Sequence, residues 1–176
     1  MRIVSGTHRG RVINAPKNLP VRPTTDFAKE SLFNIINNHF EFDSIKVADL
    51  FCGTGNITYE FLSRECPDIV SVDENYHCSE FVKKTILDFK LPKGKVIKAD
   101  VFSFLKNNLE TYDIIFADPP YDLKKLEEIA PLVFEKKMIR ENGWLIIEHG
   151  EKTDLSLQPH FKEKRKYGNV HFSFFG

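Results

Sequence analysis

The sequence predicts an α/β protein built on a doubly wound, mostly parallel sheet of seven strands, and three observations predict it. From residue 45 onward, short apolar runs alternate with stretches of helical period, as in strands joined by crossover helices. The run Tyr112-Asp113-Ile114-Ile115-Phe116-Ala117 is too apolar for a strand with one wet face, so it reads as buried on both sides. The chain closes differently: 160–167 and 170–175 flank Gly168-Asn169, an antiparallel hairpin with a two-residue turn.

The elements follow in order. Residues 2–4 and 11–13, on either side of Gly6 to Gly10, read as a small basic hairpin. Thr24-Thr25-Asp26 supplies a helix N-cap before 27–39, where Ala28, Leu32, Ile35 and Ile36 share one face. Strands are then expected over 46–51, 69–73, 95–98, 112–117 and 144–148, with helices over 56–64, 79–89, 101–109 and 123–135. Phe81, Val82, Ile86 and Phe89 give 79–89 its helical period. In 170–175, Val170, Phe172 and Phe174 alternate with His171, Ser173 and Phe175, which suits a half-buried sheet edge. The chain reads as one domain, 1–176, with a Rossmann-like core over 45–176 and residues 1–44 as an appendage packed on the sheet.

A length of 176 residues is enough to bury roughly 70% of the unfolded surface, and 41% hydrophobic with 28% charged residues excludes a disordered chain. Net charge is zero but unevenly spread. Residues 1–25 hold Arg2, Arg9, Arg11, Lys17 and Arg22 with no acid, and Lys162, Lys164, Arg165 and Lys166 stand against Glu163 alone. Such basic ends on an acidic body suggest a polyanion-binding rim. Cys52, Cys66 and Cys78 are odd in number and lack C-x-x-C spacing, so neither a disulfide framework nor a zinc site is expected. The amino terminus lacks the apolar core of a signal peptide and no run approaches a membrane span, so a cytoplasmic protein is expected.

The chemistry concentrates at strand ends. Asp118-Pro119-Pro120-Tyr121 follows the 112–117 run directly. Two prolines cannot continue a central strand, and the residue before a proline is held extended, which fixes Asp118 at the carboxyl end where open α/β sheets bind ligands. A carboxylate, stiff carbonyls and an aromatic ring there suit gripping a planar base through its amino group.

The first strand runs into Asp49-Leu50-Phe51-Cys52-Gly53-Thr54-Gly55. Gly53 and Gly55 permit close backbone approach, and the helix that follows offers its positive end. The dinucleotide fingerprint would need glycine at 58, which is Thr58. Asp73 closes the second strand, where a carboxylate accepts from ribose hydroxyls. Asp100 closes the third, placed for an adenine amino group between Val101 and Phe102, and Asp49 is placed for a cationic amine. Each acid singly could be a strand-end cap. Together, amine, ribose and adenine describe S-adenosylmethionine better than NAD, whose pyrophosphate wants no carboxylate nearby.

These motifs resemble class I S-adenosylmethionine-dependent methyltransferases acting on exocyclic amino groups. Arg9-Gly10-Arg11, Arg22-Pro23-Thr24-Thr25-Asp26, Lys29-Glu30, Leu32-Phe33-Asn34 and Tyr167-Gly168 narrow the resemblance to the RsmD-like small-subunit (16S) ribosomal RNA (guanine-N2)-methyltransferases, over essentially the whole chain. The resemblance implies that Thr24 and Thr25 meet the cofactor's methionine carboxylate, with helix capping as the alternative for either. It implies ribosomal RNA, within the small subunit, as partner. Asp118, Pro119, Pro120 and Tyr121 are then catalytic, and Arg9, Arg11, Arg22 and Tyr121 hold the substrate. No metal is needed and a monomer suffices. An adenine-N6 enzyme, a chemically inactive nucleic-acid-binding module and an NAD-dependent oxidoreductase are the competing readings.

Overall fold

A computed structural model describes residues 1–16, 19, 24–92 and 94–176. Helix α1 (Asp26–Asn37) precedes five strands joined by four helices: β1 (Lys46–Leu50), α2 (Asn56–Ser63), β2 (Asp68–Asp73), α3 (Tyr76–Asp88), β3 (Lys95–Lys98), α4 (Val101–Asn107), β4 (Tyr112–Ala117), α5 (Ile129–Glu135) and β5 (Ile139–His149). The hairpin β6 (Phe161–Tyr167) and β7 (Val170–Phe175) closes the chain. The seven strands form one sheet in the order β3-β2-β1-β4-β5-β7-β6. Pairs from β3 to β5 are parallel, and β7 runs antiparallel to both β5 and β6. The Rossmann-like α/β expectation is met, including the antiparallel hairpin.

The centre of the sheet is covered on both faces, so strands such as β4 read as continuous apolar runs. On one face Val47, Ile69, Ile114, Phe116 and Ile146 pack with Leu32, Phe33 and Ile36 of α1 and with Phe61 and Leu62 of α2. On the other, Ala48, Val70, Ile115 and Leu145 meet Leu105 of α4 and Ile129 and Val133 of α5. Helix α1 therefore shares the first core with the sheet.

Several boundaries differ from expectation. β1 stops at Leu50, because Phe51 turns into the left-handed region at φ 60°. α3 begins at Tyr76, three residues early, because the Asn75 side chain accepts from His77 N and Cys78 N. The helix expected over 123–135 shrinks to a 3-10 turn at Leu126–Glu128 and the seven residues of α5. Pro131 is the cause: with no N–H it cannot bond to the Glu127 carbonyl, so it is confined to a first turn, and that carbonyl accepts from Gln158 Nε2 instead. β7 is not a half-buried edge. All six of its residues are buried because β6 covers its outer side, and β6, studded with lysines, is the true edge. The front hairpin has a single ladder bridge, Arg2 to Val12, completed by Ile3 N to Arg11 O and Gly10 N to Ile3 O.

A buried ion pair ties this front segment to the core. The Glu60 carboxylate accepts from Val4 N at 2.9 Å and Ser5 N at 3.0 Å, and faces Lys29 Nζ at 3.4 Å and Arg64 Nη2 at 3.1 Å. Lys29 in turn donates to Arg2 O and to Asn56 Oδ1. No helix among the described residues is long and apolar enough to cross a membrane.

Candidate active site

A cavity of about 910 Å³ opens at the carboxyl ends of the parallel strands. The turn from β1 to α2, the start of α3, the start of α4, the segment after β4, the end of β5 and the β6–β7 turn surround it. Among the expected residues, Thr24, Thr25, Asp49, Phe51, Gly53, Asp73, Asp100, Val101, Phe102, Asp118, Pro119, Pro120 and Tyr121 line it.

The four aspartates differ in how far the protein already satisfies them. Asp73 accepts from Gly53 N and from Asn75 N, both at 2.8 Å. Asp100 caps α4 by accepting from Ser103 N at 2.8 Å, and that bond holds its carboxyl below the usual range. Each still has lone pairs for a ligand. Asp49, only 1% exposed, accepts from Thr58 Oγ1 at 2.5 Å, and burial pushes its carboxyl up to about 7. The Thr58 that breaks the dinucleotide fingerprint thus supports this acid.

Asp118 has no side-chain hydrogen bond among the described residues. Burial first, then the nearby Glu148 and Asp49 charges, holds its carboxyl well above the ordinary value. At the strand end, Asp118 N donates to Leu50 O, the Pro120 carbonyl accepts from Leu123 N, and Pro119 between them lines the cavity. Tyr121, 60% exposed, stands at the mouth with its ring against Gly150.

Three expected residues are placed elsewhere. Gly55 does not line the cavity. Its φ of 82° starts α2, and a Cβ there would lie 2.6 Å from the Tyr59 ring, so the glycine serves packing. Arg9 and Arg11 lie away from the cavity as well. Arg11 donates to Phe89 O and sits over the Phe89 ring at the far end of α3, about 20 Å from that helix's cavity end at 1.5 Å per residue. Arg22 lies outside the described residues. Thr24 and Thr25 both line the cavity with hydroxyls engaged by the protein: Thr25 caps α1 by accepting from Ala28 N and keeps its O–H to donate, whereas Thr24 donates to Glu148 Oε2 at 2.8 Å.

Glu148 is the residue that sequence reading missed. It lies 2% exposed at the tip of β5, lines the cavity, and burial pushes its carboxyl up to about 7 against the pull of the Thr24 bond. The signal was present, since Glu148 ends a buried strand as Asp118 does. At the other end of the charge map, each basic side chain from Lys164 to Lys166 has an acid nearby: Asp154 for Lys164, Glu163 for Arg165 and Glu151 for Lys166. These exposed pairs are weak, worth about 0–1 kcal/mol, and leave the cations open to exchange for phosphate.

The family described as conserved hypothetical protein 95 matches residues 1–176, the entire sequence. The small-subunit ribosomal RNA methyltransferase D of Escherichia coli K12 is 30% identical over 148 residues, which cover 84% of this chain and 71% of that protein. The chain belongs to this RsmD-like family. A Bacillus subtilis relative, YlbH, provisionally named an rRNA methyltransferase, is 35% identical over 159 residues, 88% of this chain and 85% of its own. A solved hypothetical protein of Thermus thermophilus shares the fold of this RsmD-like chain with a TM-score of 0.87 at 21% identity, covering 99% of this chain and 98% of its own.

Proposed function

We propose that this RsmD-like protein transfers a methyl group from S-adenosylmethionine to the exocyclic N2 amino group of a guanine in small-subunit (16S) ribosomal RNA. The observation that carries the reading is Asp118-Pro119-Pro120-Tyr121, standing at the tip of β4 and opening on an acid-lined cavity. The names of the relatives, ribosomal RNA small subunit methyltransferase D among them, support RNA as substrate. S-adenosylhomocysteine in the structure of SMU.776, a fold neighbour with a TM-score of 0.68, supports the cofactor.

The residues fit that cofactor. Asp49, deeply buried without a cationic partner among the described residues, suits a positively charged ligand group. Asp73 offers lone pairs to ribose hydroxyls, Asp100 to an adenine amino group, and Val101 and Phe102 flank the ring. When bound, S-adenosylmethionine supplies an electrophilic methyl whose C–S bond breaks, its electron pair passing to sulfur, as the N–C bond forms. The Asp118 carboxylate and Pro119 carbonyl accept from the two N–H groups of the target amine. That favours a pyramidal nitrogen and stabilises the positive charge that grows there. Asp118, more basic than an ordinary carboxylate, can receive the proton the nitrogen then sheds. Tyr121 stacks on the base, worth roughly 1–3 kcal/mol, once it is unstacked from its own helix.

Residues 1–44 then serve as an RNA-binding extension on a 45–176 core. Arg11, about 20 Å from the cavity end of α3, and Arg9 two residues before it contact phosphates of an RNA that spans that distance. Replacing both by alanine is expected to weaken RNA binding roughly tenfold at low salt and to lower the salt slope by about 2, with unchanged cofactor affinity. Filter binding across a salt series checks it, and an unchanged slope removes these arginines from the interface.

The acids also set a pH dependence. Asp49 and Glu148, raised in the fold to about 7, hold protons that the unfolded chain has lost above about pH 4. Ligand-free stability should therefore decline as pH rises from 4 to 7. Affinity for the cationic cofactor should rise over pH 5 to 7 and level off above, as Asp49 ionises. Calorimetry at four pH values tests this, and a flat profile counts against Asp49 as the cation's partner.

The deciding experiment for the function is transfer of labelled methyl into ribosomal RNA, naked or in small subunits, and into DNA, followed by nucleoside analysis. N2-methylguanosine supports the proposal. N6-methyladenosine favours the adenine alternative, and no transfer to any substrate favours an inactive binding module.

A further inference from the structure

Ala117 pairs with Ile147, so the next residues on these two parallel strands, Asp118 and Glu148, lie side by side, about 4.8 Å apart. They project on the face that carries Phe116 and Ile146, and both line the cavity. Thr24 Oγ1 anchors one Glu148 oxygen, Oε2. The other, Oε1, and both carboxylate oxygens of Asp118 have no hydrogen-bond partner among the described residues.

Buried acceptors are stable only when donors reach them. Burial raises both carboxyls, the Glu148 charge adding to the effect at Asp118, and Asp118, half-buried at the cavity wall, stays within reach of a ligand's donors. The ligand that completes the pair must present neighbouring N–H groups and no lone pair between them. A flipped base is read along its Watson–Crick edge. Guanine presents N1–H beside its N2 amino group, two donors in a row. Adenine presents its amino group beside N1, which is an acceptor.

We propose that Glu148 is the specificity-determining residue of this site: beside Asp118 on the amino group, its carboxylate accepts from guanine N1–H and repels the N1 lone pair of adenine. The Thr24 hydroxyl fixes the carboxylate's orientation, which gives that threonine a role on the substrate side of the cavity. This inference rests on the guanine reading above and names the group that enforces it.

The test uses small subunits reconstituted with ribosomal RNA carrying either guanine or 2-aminopurine at the methylated position found by labelling. 2-Aminopurine keeps the reactive amino group but has an acceptor at N1. The wild-type protein should prefer guanine in kcat/KM by at least about tenfold, as expected for one good hydrogen-bonding discrimination. Glu148→Gln should lose about 10- to 100-fold on guanine and bring the two substrates near parity, because a carboxamide N–H donates to the 2-aminopurine N1. Glu148→Asp, which keeps the acceptor, should keep guanine preferred.

Two results overturn the role: no wild-type preference, or loss by the same factor on both substrates in Glu148→Gln, which a merely structural glutamate would give. Where Glu148→Gln fails to bind cofactor, the wild-type ratio and Glu148→Asp still decide. Wild-type failure to methylate guanine, or label on adenine N6, sinks the functional reading itself and is distinct from a failure of Glu148 alone.

Discussion

Asp118→Ala is expected to bind S-adenosylmethionine within about threefold of the wild type and to lose at least about 10²- to 10³-fold in the rate of methyl transfer. The reason lies in how little else the site offers the amine. In the proposed reading Asp49, Asp73 and Asp100 serve the cofactor, and Asp73 and Asp100 already accept from backbone amides. Asp118 alone combines an unfilled carboxylate with the strand-end position beside the Pro119 carbonyl. Removing it also relieves like-charge repulsion on Glu148 and Asp49, so cofactor affinity has no cause to collapse. Single-turnover transfer of labelled methyl, with affinity measured alongside, separates the two effects. Turnover within tenfold of the wild type would take Asp118 out of the chemistry.

The second large effect concerns stability. Glu60→Ala should cost about 3–5 kcal/mol, the range for breaking a buried ion pair from one side. The loss is compound. It strands the Lys29 ammonium, which is 1% exposed and whose pKa burial already lowers, with the Glu60 charge as the main opposing influence. It also takes the acceptor from Val4 N and Ser5 N and the ion pair from Arg64. Urea denaturation measures it. Pairing Glu60→Ala with Lys29→Met should cost less than the sum of the two single changes, since the Lys29 charge is then no longer left inside without its partner, although Arg64 still loses its own. A single-variant cost below about 1 kcal/mol would show that water reaches the pair.

Much of the core was legible because its signals are local. Strands β3, β4 and β7 match the expected ranges residue for residue, since apolar runs bounded by charged or turn residues leave little choice of ends. The strand-end aspartates could be read for the same reason. What escaped depended on contacts distant in sequence. Glu148 looks like any acid after an apolar run until β4 and β5 are set side by side in register. Gly55 looks like a ligand glycine until Tyr59 is seen to fill the space beside it. The burial of β7 follows from β6 lying outside it, which no pattern within residues 170–175 can reveal. Arg9 and Arg11 were legible as charge, but the position of Arg11 at the far end of α3 depends on how the front segment runs along α2 to Ser63.

The place of β7 bears on how the molecule is assembled. It follows every other strand in chain order yet sits inside the sheet, between β5 and β6. During synthesis, the outer flank of β5 stays open to solvent until 170–175 emerges and zips in. The last pairing to form is thus the one that seats Phe172 beside Glu148. A nascent chain of this protein should accordingly acquire a competent pocket late, and stalled intermediates ending before residue 170 should expose an adhesive apolar seam that invites capture by chaperones.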